Sequence, residues 1–273
     1  MTSSPRSVSR RTRSVLVGVA IGCAIILLAT DCVAQRSGSQ ATEVEQLKAE
    51  VVATYPHDPD AFTQGLLMSE GALFESTGQL GESSIRRVEL GTGRVLRQID
   101  VSSDLFAEGL ALVDGRLIQL TWKSGIAIVY DGETLAELDR LTYEGEGWGL
   151  CYDGERLVMS DGSSDLVFRD PVTFTEIGRI TVTRDGEPVD KINELECVEG
   201  VVYANIWKSD QIIVVEPDTG EVTTEIDVSG LIDEENLSSA GVLNGIAYDS
   251  ESEQFYLTGK DWQLLFEVRW VPA

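Results

Sequence analysis

Histidine is almost absent from this chain: among 273 residues His57 is the only one. A structural zinc site of the Cys/His type needs more ligands than one histidine and scattered cysteines supply. A Ser-His-Asp triad would have to run through His57, which stands between Pro56 and Asp58, and the plainer reading is a polar loop residue. Positive charge is scarce as well, with 21 Lys and Arg against 46 Asp and Glu. That balance argues against a folded surface built for nucleic acid or for anionic membranes. Helical periodicity is missing from almost the whole chain, which excludes a helical bundle.

Long apolar runs are missing too, with one exception near the N-terminus. Arg10, Arg11 and Arg13 precede an apolar stretch from Val15 to Ala29, and small residues surround Cys32-Val-Ala34. The run is short for a membrane-spanning helix and suits the core of a signal peptide cleaved after Ala34, with an uncleaved anchor as the alternative. Export to a periplasmic or extracellular space is therefore expected. Losing residues 1–34 removes four arginines and Asp31, so the net charge of −25 becomes −28. Residues 35–46 read as a linker and 47–273 as a single domain. Two of the four cysteines fall in the N-terminal segment, leaving Cys151 and Cys197. Two free, buried thiols is the simpler reading of these; a disulfide between them is the alternative. The acidic run Asp233-Glu-Glu235 reads as a solvated loop.

What the chain does contain is a series of short Val, Ile, Leu, Thr and Tyr runs separated by turns such as Asp114-Gly115, Asp131-Gly132 and Asp185-Gly186. That pattern is all-β with hairpins. A repeat organises it. Its units begin at Gln64-Gly-Leu66, Glu108-Gly-Leu110, Trp148-Gly-Leu150, Glu194-Leu-Glu196 and Asn244-Gly-Ile246, and each continues into a turn and a second strand. A spacing of about 40–45 residues with about four strands per unit predicts a β-propeller, here with five blades. Ring closure would join Val51–Tyr55 to Leu265–Trp270.

In such a ring the heads Gln64, Glu108, Trp148, Glu194 and Asn244 should gather near one mouth of the central channel. Trp122, Trp207 and Lys260 fall at or after the ends of second strands in three different units, and Phe62 and Phe106 lie two residues before a head. The expected site is a concave pocket with several aromatics and few polar groups. Aromatic walls would raise the pKa of Glu108, which suits a group that accepts and returns a proton near neutral pH. Each aromatic alone would be read as packing between blades; their coincidence at equivalent positions is the signal.

Tyr55-Pro-His-Asp58, Ala61-Phe-Thr-Gln-Gly-Leu66, Phe74-Glu-Ser-Thr-Gly78, Phe106-Ala-Glu-Gly-Leu110, Gly145-Glu-Gly-Trp-Gly-Leu150, Ile192-Asn-Glu-Leu-Glu196 and Ala204-Asn-Ile-Trp207 together resemble the glutaminyl-peptide cyclotransferases of the plant and bacterial type. The resemblance covers essentially all of residues 50–270. It implies a five-bladed propeller that converts an N-terminal glutamine of peptides or proteins to pyroglutamate and releases ammonia. It implies that Glu108 carries the proton, that Phe62, Phe106, Trp122, Trp148 and Trp207 form the pocket, and that Gln64, Asn193 and Lys260 bind the amide or its tetrahedral intermediate. It implies no cofactor and no catalytic metal, although a structural calcium in the channel is conceivable, and a monomer acting on peptide substrates. Two other readings stay open on residues alone. Glu108, Glu194, Asn193 and Asn244 could ring a hard cation, as in a calcium-dependent hydrolase of the lactonase kind. The ring could also be a non-enzymatic binding scaffold.

Overall fold

The computed structural model describes residues 43–231 and 241–273. The N-terminal segment 1–34, most of the expected linker, and Asp233-Glu-Glu235 lie outside the described residues. Strand β1 (Glu45–Pro56) begins two residues inside the stretch expected to be a linker.

The described chain is all-β. Three antiparallel four-stranded sheets form in sequence order. The first holds β2 (Thr63–Ser69), β3 (Ala72–Thr77), β4 (Ser84–Glu89) and β5 (Arg94–Asp100). The second holds β6 (Ala107–Val113), β7 (Arg116–Thr121), β8 (Ile126–Asp131) and β9 (Glu137–Thr142). The third holds β10 (Leu150–Tyr152), β11 (Leu157–Met159), β12 (Asp165–Arg169) and β13 (Glu176–Thr181). A small ribbon follows, β14 (Thr183–Arg184) and β15 (Glu187–Pro188), turning through Asp185-Gly186. The last sheet has eight strands. It joins β16 (Ile192–Val198), β17 (Val201–Ile206), β18 (Gln211–Val215) and β19 (Val222–Asp227) to β20 (Leu243–Asp249), β21 (Gln254–Gly259) and β22 (Leu264–Pro272). The join is β1, which lies antiparallel to β22, with Val51 opposite Val268 and Tyr55 opposite Leu265, and parallel to β19 through Glu45–Lys48. The N-terminal and C-terminal strands thus pair as the sequence leads one to expect.

Each repeat head lies at the start of a buried inner strand, Trp148 two residues ahead of β10 and the other four within the first residues of theirs. β2 packs on β6, β6 on β10, β10 on β16, β16 on β20 and β20 back on β2, so the inner strands close a circle. The repeated glycines explain how they approach so closely. A Cβ on Gly65 would stand 2.6 Å from the Leu110 nitrogen, and one on Gly109 would stand 2.6 Å from the Leu150 nitrogen. Without that Cβ, Gly109 donates its N–H directly to the Trp148 carbonyl at 2.7 Å. Apolar cores fill the wedges between neighbouring strand groups. One unites Leu67, Phe74, Leu110 and Ile128; the next Ala111, Leu120, Leu150 and Phe174; another Val158, Phe168, Leu195 and Val202. The outer strands β5, β9 and β13 are largely exposed and polar, which suits free sheet edges.

Cys151 on β10 and Cys197 on β16 form a disulfide, so the simpler reading of two free thiols is corrected. Both follow their repeat heads by three residues, and because β10 packs on β16 their Cα atoms stand only 5.4 Å apart. The bond closes a loop across 46 residues. Its reduction, or a double Cys→Ser variant, is expected to cost about 3 kcal/mol by releasing that loop in the unfolded chain. Urea unfolding with and without reductant measures it, and coincident midpoints would show that the closure contributes nothing.

Candidate active site

The inner strands do more than close the circle; four of the five, all but β10, are interrupted where the head lies. The register of β2 against β3 shifts between Thr63 and Gly65, that of β6 against β7 between Ala107 and Leu110, that of β16 against β17 between Ile192 and Leu195, and that of β20 against β21 between Leu243 and Ile246. These bulges turn side chains out of strict alternation. Gln64, Glu108 and Asn193 are thereby directed into one cavity of about 340 Å³. Phe62, Gln79, Phe106, Trp122, Trp148, Trp207 and Lys260 complete its lining. All nine site residues expected from the sequence meet in this one place.

The bulge on β16 also corrects the expectation that every head reaches the mouth. Asn193, one residue earlier, lines the cavity. Glu194 turns inward, where its carboxylate oxygens accept the backbone N–H of Leu66 at 3.3 Å and of Ile246 at 2.8 Å. Burial, with Glu196 nearby, pushes its pKa well above the ordinary carboxylate range. Asn244 lies beneath the cavity floor and donates to the Thr63 carbonyl at 3.0 Å and to Gln64 Oε1 at 3.3 Å. Of the residues suggested for a hard cation, Glu108 and Asn193 line the cavity and Glu194 and Asn244 do not.

Asn244 fixes the orientation of Gln64. With Gln64 Oε1 taken as an acceptor, the amide N–H groups of Gln64 remain for Glu108, to which they hydrogen-bond. Glu108 is 4% exposed. Burial raises its pKa well above 4.5, against the pull of Lys260 and the Gln64 hydrogen bond and with a further push from Glu146. Lys260 is also buried, which lowers its pKa although Glu108 and Asp261 act the other way. Its Nζ lies 4.8 Å from the centre of the Phe62 ring. A buried acid and a buried base thus share a cavity, and for each the lack of water disfavours the charged form while the other's charge favours it.

Aromatic rings make the walls. Phe62 meets Phe106 edge-on at 6.1 Å, and Phe106 meets Trp122 at 5.8 Å. Across the cavity Trp148 meets Trp207 edge-on at 5.6 Å. Gly162 sits behind Trp148 with φ of +83°, and any Cβ there would strike the indole at 2.7 Å. Gly78 similarly leaves room for the Phe106 ring and leads into Gln79. Sequence reasoning missed Gln79, which lies on the loop after β3 with φ of 90° and occupies no repeat position. Its place directly after the Phe74–Gly78 motif was the only available signal.

His57 is the loop residue expected, directly after β1, but it is buried, its Nδ1 2.7 Å from the Trp262 carbonyl and its Nε2 3.0 Å from Glu75 Oε1. It takes no part in the cavity.

A cavity in an all-β ring of inner strands, lined by a single carboxyl, Glu108, and walled by five aromatics, defines a small-ligand pocket equipped for proton transfer rather than a scaffold surface. The glutamine cyclotransferase family model matches residues 24–270. Glutaminyl-peptide cyclotransferase of Arabidopsis thaliana is 37% identical over 279 residues, covering 98% of this chain and 87% of that protein. The crystal structure of Myxococcus xanthus glutaminyl cyclase superposes with a TM-score of 0.81 at 40% identity, covering 85% of this chain and all of that one. The chain belongs to the glutamine cyclotransferase family. At the level of fold alone it is also similar to the WD40 repeats of RRP9, with a TM-score of 0.50, 8% identity, and coverage of 81% of this chain and 100% of that one.

Proposed function

We propose that the chain is a glutaminyl-peptide cyclotransferase, acting on peptides or proteins that begin with glutamine, on a five-bladed propeller. The blade count rests on splitting the eight-stranded sheet at the parallel β1–β19 contact. β16–β19 then form the fourth blade, and β20, β21, β22 and β1 the fifth, matching the five repeat heads. The observation that carries the activity is Glu108: one buried carboxyl, hydrogen-bonded by a Gln64 that Asn244 orients, at the base of an aromatic cavity.

The substrate's α-amine attacks its own γ-carboxamide carbon. A C–N bond forms in a five-membered ring, the bond to the amide nitrogen breaks, and ammonia leaves. The proton lost by the amine must reach the departing nitrogen, and Glu108 accepts it as carboxylate and returns it as acid. Its raised pKa makes it a stronger base than an ordinary carboxylate, fitted to take up the amine proton. The aromatic walls hold the folded conformer, which supplies most of what an intramolecular reaction needs. Asn193 and Lys260 stabilise the charge that develops on the carbonyl oxygen. No nucleophilic serine or cysteine is required, and no cofactor is invoked. The N-terminal segment is read as an export signal or anchor, and the catalytic domain as a monomer.

The test is ammonia release from Gln-initiated dipeptides by the purified chain, with and without a strong chelator. Turnover that persists in chelator is expected. Absence of ammonia would return the protein to the binding scaffolds, and loss of turnover on chelation would favour a metal-dependent hydrolase.

A further inference from the structure

Glu146 lies outside the cavity lining yet touches both of its walls. Two places before the heads Gln64 and Glu108 the repeat carries Phe62 and Phe106; two places before Trp148 it carries Glu146. A carboxylate thus stands where two other repeats place a wall. Its Oε2 accepts hydrogen bonds from Trp122 Nε1 at 2.7 Å and from Trp148 Nε1 at 3.1 Å. Its Oε1 lies 3.4 Å from Lys123 Nζ, which itself sits 3.9 Å from the centre of the Trp122 ring. Phe62, Phe106 and Trp122 form one run of ring contacts, and Trp148 and Trp207 form another. The Glu146 oxygen is the joint between the two.

We propose that Glu146 is a positioning residue whose single carboxylate oxygen, shared by two indoles, sets the separation of the two aromatic walls and hence how a glutaminyl substrate is held against Glu108. Indole N–H groups at a pocket rim would otherwise bond to water and let each ring swing on its own χ angles. A charged acceptor gives short, strong bonds and fixes both rings at once. Glu146 is ionised in this role. Burial pushes its pKa up, but hydrogen bonds from Trp148, Trp122 and Lys123 prevail and hold it below the usual value. The same negative charge acts on Glu108, which also faces Lys260, the Gln64 amide and, more distantly, the Tyr143 hydroxyl. On its far side Glu146 borders a separate cavity with Glu144, Asp161, Arg169, Glu176 and Arg179.

The kinetic part rests on the cyclotransferase reading; the structural part does not. The chain has five tryptophans, so a ¹⁵N-tryptophan sample gives five indole N–H signals, with Trp122 and Trp148 assigned by Trp→Phe variants. In Glu146→Ala both signals are expected to move together and the other three to stay. KM for a Gln-dipeptide is expected to rise about tenfold, the loss of a charge-assisted hydrogen bond, with a smaller fall in kcat. Glu146→Gln keeps an acceptor oxygen and removes the charge. It should restore most of KM and shift the acid limb of kcat/KM to lower pH, because a charge that holds the proton on Glu108 is gone. Unmoved indole signals in Glu146→Ala, or an unmoved acid limb in Glu146→Gln, would overturn the proposal. If the wild-type chain releases no ammonia, the functional reading fails, and the indole signals still decide the clamp.

Discussion

Glu108→Gln is expected to lower kcat/KM about a thousandfold, the scale of a lost general acid–base group, while making the folded protein more resistant to heat at neutral pH. The two effects have one cause. Glutamine matches the carboxyl in size and can still meet the Gln64 amide, so the cavity keeps its shape. It cannot take the proton from the attacking amine, and cyclisation stalls before ammonia can leave. The stability effect follows from the raised pKa. In the unfolded chain Glu108 ionises near 4.5, whereas burial in the fold holds its proton to higher pH. Below 4.5 both states are protonated and the group is neutral towards folding. As pH rises from 4.5 towards the folded pKa the unfolded state ionises while the fold keeps its proton, so stability is lost over that interval and the loss is complete above the folded pKa. Glutamine has no such penalty, so the variant should melt higher than wild type at pH 7.5 and together with it at pH 4. Ammonia assays and thermal melts at both pH values check this. Turnover close to wild type would remove the shuttle role, and a lower melting temperature at pH 7.5 would show that the carboxyl stabilises the fold.

Much of this site was legible in the sequence because the repeat maps chemistry onto geometry. Once Gln64, Glu108 and Trp148 are seen as equivalent heads of equivalent strands, the closed circle of inner strands brings them together without further information. Trp122, Trp207 and Lys260 follow by the same equivalence. What the repeat could not convey is the local irregularity. A bulge on β16 changes which of two adjacent residues, Asn193 or Glu194, reaches the cavity, and nothing in Ile192-Asn-Glu-Leu195 announces an extra residue in the ladder. Gln79 belongs to a loop and has no repeat partner. The disulfide depended on how closely β10 approaches β16, a distance set by Gly149, whose missing side chain leaves room for the Asn193 backbone. His57 hid its burial for a similar reason. Its neighbours in sequence are those of a turn, whereas its neighbours in space come from two other elements.

Those spatial neighbours make Glu75 the residue whose loss should cost the fold most, about 4 kcal/mol for a buried ion pair broken on one side. Glu75 on β3 stands opposite Arg86 on β4 in the strand register, and its Oε2 accepts from the Arg86 guanidinium at 2.6 Å. Its Oε1 accepts from Thr63 Oγ1 at 2.7 Å and from His57 Nε2 at 3.0 Å. Arg86 reaches on to Asp58 at 2.7 Å. Both ring nitrogens of His57 face oxygens that can only accept, Glu75 and the Trp262 carbonyl, so the doubly protonated imidazolium satisfies both. The group therefore fastens the chain after β1 to the first sheet and to the loop between β21 and β22, the loop that begins with Lys260. Burial opposes every charge in it. For Glu75 that burial is outweighed by Arg86, His57 and Thr63, and the pKa falls to about 2. For His57 burial is outweighed by Glu75 and the Trp262 carbonyl, and the pKa rises above 6.5. The Glu75 contribution is complete above about 4.5 and is lost as pH falls towards 2; the His57 contribution is complete below 6.5 and is lost as pH rises through its folded value. Stability from this group should thus peak between those limits. Glu75→Gln leaves the Arg86 and His57 cations buried without their counter-ion, and should lower the denaturant midpoint most at pH 5.5. It should also flatten the pH dependence on both sides, since neither the carboxylate nor the charged imidazole remains favoured. Urea unfolding of wild type and variant from pH 3 to pH 9 measures it, and parallel curves displaced by a constant amount would show that Glu75 acts by packing and not by charge.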